Sequence, residues 1–158
     1  MTDNIKKTIL SREDELMKTL CTFFSKENNL DKMLNVTKRE TITLRVLDWY
    51  VTIYSKDHVT EDQIYKKYKL HLKSYSKKLF DPFCRGNKIQ LLIHDDDHIQ
   101  TTVGQLNYFK WILINNIIES FNKNKSEIES YMIMEGFKKH KSDSIKSCKN
   151  NTIDNICT

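Results

Sequence analysis

Apolar residues recur three or four positions apart through most of this chain, the spacing that places side chains on one face of an α-helix. The spacing predicts a first helix from Ser11, where Asp14 follows at capping distance, to a stop before Asn29. A short segment over residues 30–34 follows this first helix and precedes the next one. The same periodicity predicts a helix over Thr43–Lys56, with a strand as the alternative because ITLRV and WYVTIY are rich in β-branched and aromatic residues.

A third helix is predicted from Thr60, which forms a T-x-x-Q capping box with Gln63, to Leu79. It ends there because Pro82 disfavours the α conformation for the residue before it and cannot donate to a helical ladder. Its apolar stripe, predicted to face the core, consists of Ile64, Tyr68, Leu72, Tyr75 and Leu79.

A β-hairpin is predicted over residues 88–102, because KIQLLI reads as a strand, HDDD as a turn and HIQTT as the returning strand. Thr102 and Gln105 form a second capping box. The helix that begins there is apolar on most sides to about Asn122, so we expect it to be the central buried helix.

A third capping box, Ser126 with Glu129, predicts a last helix to about Lys139. The fold class that these elements predict is α+β, a mostly helical single domain of about five helices with one β-hairpin. We expect this domain to span residues 1–140 and residues 141–158 to form a basic flexible C-terminal tail. A chain of 158 residues is long enough to bury a core without disulfides or metal.

The composition narrows the class of protein. A hydrophobic fraction of 39% argues against general disorder. The longest apolar run, WILINNII, is too short to span a bilayer, and no apolar leader opens the chain, so we expect a soluble intracellular protein without a membrane partner.

The cysteines are widely separated, which favours reduced thiols over a zinc or redox motif. They are Cys21, Cys84, Cys148 and Cys157.

The positive charge is concentrated in one window. Residues 66–88 hold eight Lys or Arg against one acid, a net of +7 in a chain of net charge +5. Four of the lysines fall within about 80° of one another on the helix face opposite the apolar stripe. The predicted nucleic-acid-binding residues are these four and two in the turn that follows: Lys66, Lys69, Lys73, Lys77, Arg85 and Lys88.

Ammonium groups along a helix can neutralise successive phosphates and release their counterions. The alternatives are a solvated face that only keeps the protein soluble, or a surface for an acidic protein. An A/T-rich codon bias, visible in the absence of alanine, also enriches lysine irrespective of function.

The sequence offers weaker evidence for a metal site or a reactive cysteine than for the basic helix face. The cluster His94 to His98 (HDDDH) offers metal-ligand atoms, but side chains on a hairpin tip alternate faces and no second cluster completes a site. The thiol of Cys84 lies beside Arg85, which favours a thiolate, but no His is near in sequence to act as a base. Lys110 suits a surface position. We therefore predict no catalytic residue, metal site, cofactor or small-molecule substrate, and not an enzyme.

Three segments of the chain resemble a known protein family: TITLRVLDWYVTIYSK, LKSYSKKLFDPFCRG and TTVGQLNYFKWILINNIIESF. They are similar to a small-protein family of nucleocytoplasmic large DNA viruses, the giant viruses, over about residues 28–135. The most specific strings are Phe80–Arg85 and Thr101–Trp111. The resemblance implies a viral protein of the host cytoplasm, at the viral replication site, or of the virion, and it transfers no catalytic residue. Between Lys56 and Tyr65 the chain is shorter than the family pattern.

These observations predict a non-enzymatic viral accessory protein that binds nucleic acid, DNA or RNA, through a basic helix face with little sequence preference. The alternative is a protein–protein interaction or structural component of the virion or of the viral transcription or replication machinery. In that case the FDPFCR turn and the exposed face of the Thr102 helix would meet a viral protein partner.

Overall fold

The computed structural model describes residues 10–26, 28–38 and 42–136, which form a mostly helical α+β fold. The described residues include seven α-helices, more than the five or so expected, and residues 125–136 are helical as well. The helices are α1 (Arg12–Phe24), α2 (Asn29–Thr37), α3 (Leu44–Trp49), α4 (Ser55–Asp57), α5 (Asp62–Leu79), α6 (Val103–Ile114) and α7 (Ile117–Lys123). The strands are β1 (Ile89–Leu92) and β2 (His98–Thr101).

The chain divides into two compact units, one up to Glu119 and one from Ser120 onward. The first holds α1 to α6, the hairpin and the start of α7. The second holds the end of α7 and the helical residues 125–136, with Phe121 and Ile128 buried. The predicted tail over 141–158 lies outside the described residues. Among the described residues, no helix has both the length and the apolarity that a bilayer span requires.

Helix α6 is the central element of the first unit, as predicted. Nine of its twelve residues are buried, and α1, α2 and α5 all contact it. The prediction of one helix to Asn122 is wrong, because α6 stops at Ile114 and α7 begins at Ile117. The break falls at Asn116, whose φ of 52° lies in the left-handed region that asparagine tolerates better than most residues.

Two of the predicted helix starts are confirmed. The Ser11 hydroxyl accepts from the Asp14 backbone N–H at 3.1 Å, and the Asp14 carboxylate accepts from the Ser11 N–H, completing the capping box of α1. The Thr102 hydroxyl accepts from the Gln105 N–H at 3.1 Å at the start of α6. These hydroxyls satisfy N–H groups that have no partner within the helix.

The other two capping boxes are wrong. Helix α5 begins at Asp62 rather than beside Thr60, and the side chain of Glu61 at the N-cap accepts from the Tyr50 hydroxyl at 2.9 Å instead of capping the helix. The backbone supplies the first bond instead, from the Glu61 N–H to the His58 carbonyl at 3.0 Å. Ser126 lies inside a helical stretch that already includes residue 125.

Residues 44–57 are helical, so the helix predicted over Thr43–Lys56 is confirmed and the strand alternative is not adopted. A π-helical turn at Tyr50–Tyr54, which the sequence did not predict, joins α3 to α4. Tyr50, Val51 and Tyr54 are all buried there. The wider turn thus places bulky side chains on the core side of a short helical segment.

The hairpin is confirmed. Strands β1 and β2 pair antiparallel, with Ile89 opposite Thr101 and Leu92 opposite His98. A 3₁₀ turn at His94–Asp96 connects them, and Asp95 and Asp96 both adopt left-handed φ values, 56° and 58°. Asp tolerates this region because its short side chain can hydrogen-bond locally.

Candidate nucleic-acid interface

Three of the predicted lysines line one groove along α5. Lys66, Lys69 and Lys73 are exposed and border a volume of about 680 Å³ together with Leu70, and no acidic residue is among its lining. Lys66 forms an ion pair with Asp62 one helical turn earlier. Lys69 and Lys73 make no ion pair within the described part of the chain. We call this feature the α5 groove.

Lys77 is exposed but does not line the α5 groove. Ser76 has φ 60° and ψ 171°, which interrupts the helical backbone just before it. The helical projection that places four lysines on one face therefore applies to the first three only. The apolar stripe is also less buried than predicted, since Leu79 alone among its members is fully buried, and α5 lies at the edge of the core.

Arg85 is engaged by a buried carboxylate. Its guanidinium donates to Asp81 Oδ1 at 2.7 Å, and its backbone N–H donates to Asp81 Oδ2 at 3.2 Å. The Asp81 side chain is only 5% exposed. Burial acts to raise the pKa of Asp81, but the hydrogen bonds and charge of Arg85 outweigh it, and the pKa lies below its ordinary value. Lys88 is exposed beyond this turn and stands apart from the α5 groove.

The two most specific strings of the resemblance, Phe80–Arg85 and Thr101–Trp111, are hydrogen-bonded to each other. The start of α6 holds the Phe80–Arg85 turn and the end of α5 through three hydrogen bonds that satisfy backbone groups. These are Asp81 N–H to the Gly104 carbonyl at 3.2 Å, Gln105 Nε2 to the Pro82 carbonyl at 2.9 Å, and Asn107 Nδ2 to the Leu79 carbonyl at 2.8 Å. The unusual strings thus have a structural role at this junction.

Gly104 allows the close approach that these bonds need. A Cβ at this position would lie 3.1 Å from the Lys78 carbonyl oxygen and 3.3 Å from the Phe80 nitrogen. Both are backbone atoms that cannot move aside as a side chain would. A side chain at this position would require the backbone of the α5–α6 junction to shift by a few tenths of an ångström.

A cluster of buried and half-buried polar side chains beside Asp81 was missed by sequence reasoning. Burial, reinforced by the charge of Asp81, raises the pKa of Asp48. Complete burial raises the pKa of Tyr108 well above its ordinary value, and the Tyr108 hydroxyl has no hydrogen-bond partner among the described residues. No local pattern connects these residues, because they lie tens of positions apart in the chain.

Two side chains of the HDDDH cluster, His94 and Asp97, form hydrogen bonds with other protein groups. His94 Nε2 lies 2.9 Å from Asp31 Oδ1 on α2, and Asp97 Oδ1 accepts from the His98 N–H at 2.9 Å. The described residues contain no group of three or more His, Cys, Asp or Glu side chains placed to hold a metal ion. Cys84 is half-buried, with a left-handed φ of 57°.

A pocket of about 340 Å³ lies between α5 and α6. Lys67 from α5 and Lys110 from α6 line it, together with the rings of His71, Tyr75 and Trp111. Burial lowers the pKa of His71, so the imidazole is neutral at pH 7. Sequence reasoning placed Lys110 on the surface without relating it to α5, because helical periodicity says nothing about which helices meet.

The fold and this surface define a mostly helical α+β protein with a locally basic face. The chain belongs to the family of unknown function DUF7197, whose family model matches residues 1–157. It is 36% identical over 117 residues to the uncharacterized protein L507 of Acanthamoeba polyphaga mimivirus. That match covers 63% of this chain and 45% of the relative, so the chain spans less than half the length of the relative. The resemblance to a giant-virus family is confirmed, and no solved structure matches the chain.

Proposed function

We propose that this viral protein binds nucleic acid through the α5 groove and has an accessory rather than a catalytic role. The observation that carries the proposal is the lining of the groove, which has three lysines and no acid. Lysines spaced three or four residues apart on a helix suit successive phosphates and gain affinity from counterion release. Membership of a giant-virus family supports a place at the cytoplasmic replication site or in the virion.

The electrostatics of α5 favour an anionic partner. Asp62 is the one acid between residues 62 and 79, and it stands in the first turn. Lysines at positions i, i+3 and i+4 repel each other by a few tenths of a kcal/mol per pair, and nothing in the later turns of α5 offsets this. A bound phosphate backbone would relieve the repulsion.

The direct test replaces the two lysines of the groove that have no ion pair. We expect Lys69→Glu with Lys73→Glu to weaken binding of fluorescent DNA and RNA oligonucleotides by about tenfold or more, measured by anisotropy, because the change reverses two phosphate contacts. Lys56→Glu is the matched control, since Lys56 is exposed and lines neither the α5 groove nor the pocket between α5 and α6. An unchanged helical circular dichroism spectrum excludes unfolding, and undiminished binding by the double variant would reject the proposal.

A second candidate, docking of a viral protein partner, is favoured by two exposed apolar side chains that line the α5–α6 pocket. Leu70 is 68% exposed and Ile114 is 57% exposed. Exposed aliphatic side chains that are adjacent in space can mark a protein interaction site. This candidate predicts a defined partner that nuclease-treated wild-type protein retains and the Leu70→Asp, Ile114→Asp variant loses.

A further inference from the structure

Three concavities of the first unit adjoin one another. The α5 groove and the α5–α6 pocket share Leu70, and the α5–α6 pocket shares Lys110 with a groove of about 440 Å³ along α1. Lys18, Phe23 and Lys26 line that third groove. Together the three form a continuous surface across α5, α6 and α1, which we call the three-groove surface.

The three-groove surface is uniformly basic. Seven lysines line it, and none of its lining residues is Asp or Glu. They are Lys18, Lys26, Lys66, Lys67, Lys69, Lys73 and Lys110. Four of the seven were outside the predicted site. A flexible polyanion that crosses three helices would meet cations along its whole path.

Each groove also presents an aromatic ring. Tyr65 lines the first, Tyr75 and Trp111 line the second, and Phe23 lines the third, where the Lys110 ammonium lies 5.8 Å from the Phe23 ring centroid. Tyr65, Tyr75 and Phe23 are half-buried, whereas Trp111 is only 4% exposed and the Arg12 guanidinium lies 5.3 Å from the Tyr75 ring centroid, so Tyr65 and Phe23 are the more accessible rings. Cations that alternate with accessible rings are the arrangement that binds single strands, because phosphates meet the cations and bases stack on the rings.

We propose that the nucleic acid bound here is single-stranded, that it crosses α5, α6 and α1, and that it places an unpaired base in the α5–α6 pocket. This rests on the proposed function and extends it to a ligand class. The pocket, about 340 Å³, is at the small end of ligand sites and suits one planar ring. A duplex keeps its bases paired and stacked, so it could use the lysines but not the pocket.

The test compares three labelled ligands of one length at one salt concentration: oligo-dT, an abasic strand of the same charge, and a duplex. We expect oligo-dT to bind at least about fivefold more tightly than the abasic strand, since stacking on a single ring is worth that much or more. Lys110→Glu should weaken oligo-dT binding about tenfold, while Lys56→Glu should leave it nearly unchanged.

A second readout does not depend on altering the surface. In a Trp49→Phe variant the remaining tryptophan is Trp111, which lines the pocket. We expect oligo-dT to quench its fluorescence, because a base in the pocket would contact the 4% of Trp111 that is exposed there, and the abasic strand to leave it unchanged. Equal affinity for all three ligands, without quenching and with Lys110→Glu equal to the control, would overturn this inference and leave the proposed function standing. Failure to bind any of them would overturn both, and tighter binding of polyglutamate than of oligo-dT would indicate a protein partner instead.

Discussion

Asp81, the one acid of the basic window, organises the residues around it. Its side chain is almost completely buried, it accepts from both the guanidinium and the backbone of Arg85, and its own N–H bonds to Gly104. Burying a carboxylate is costly unless such partners satisfy it. The sequence placed Arg85 in a basic patch, because a pairing that depends on burial is not visible in a charge count.

Arg85→Ala should lower the free energy of unfolding at pH 7, because it leaves a buried carboxylate without its main partner, while the exposure of Arg85 limits the loss. The pKa of Asp81 is below its ordinary 3.8 in the folded protein, so the pair stabilises the fold above about pH 3.8. That contribution disappears as the pH falls through the folded pKa. In urea titrations between pH 7 and pH 3, the difference between the two proteins should therefore become smaller toward the acidic end, and a difference independent of pH would contradict the pairing.

Gly104→Ala tests the close approach of α5 and α6. The added methyl would lie 3.1 Å from a backbone oxygen, so we expect a loss of about 1–3 kcal/mol in thermal or urea unfolding. Gly136→Ala is the matched control in a helical segment, where an added Cβ meets nothing within 4 Å. It should be neutral or mildly stabilising, because alanine favours helix. Equal effects of the two substitutions would mean that the junction tolerates a side chain.

At the scale of elements, periodicity predicted the helices well and their interruptions poorly. The helix over residues 43–56, the hairpin and the central position of α6 all followed from spacing and capping. The π turn at Tyr50–Tyr54, the break at Asn116 and the break at Ser76 did not. Each depends on a few backbone dihedrals that tertiary packing sets, and the residues involved also occur in regular helices.

Ser76 gives the clearest prediction at this scale. Its φ of 60° and ψ of 171° lie in a region that is essentially restricted to glycine. Ser76→Gly should therefore raise the free energy of unfolding by about 1 kcal/mol. Ser74→Gly in the regular part of α5 should lower it by a similar amount, since glycine disfavours helix. Thermal unfolding measures both, and destabilisation by Ser76→Gly would contradict the strained conformation.

At the scale of the molecule, the sequence located the basic window but not the extent of the basic surface. Lys69 and Lys73 were found because they are neighbours on one helix. Lys18, Lys26 and Lys110 join them only through the packing of α1 and α5 against α6, which no window of sequence contains. Conversely, the projection onto one ideal helix included Lys77, which lies beyond the Ser76 break.

The salt dependence of nucleic-acid binding tests the central claim most directly. For a single strand, the logarithm of the association constant should fall linearly with the logarithm of salt concentration, with a slope of about −0.7 for each phosphate neutralised. The Lys69→Glu, Lys73→Glu variant should have a slope that is shallower by about 1.4. We predict this steep, lysine-dependent slope; an affinity that does not change with salt, or a slope that is the same in the variant, would contradict the account.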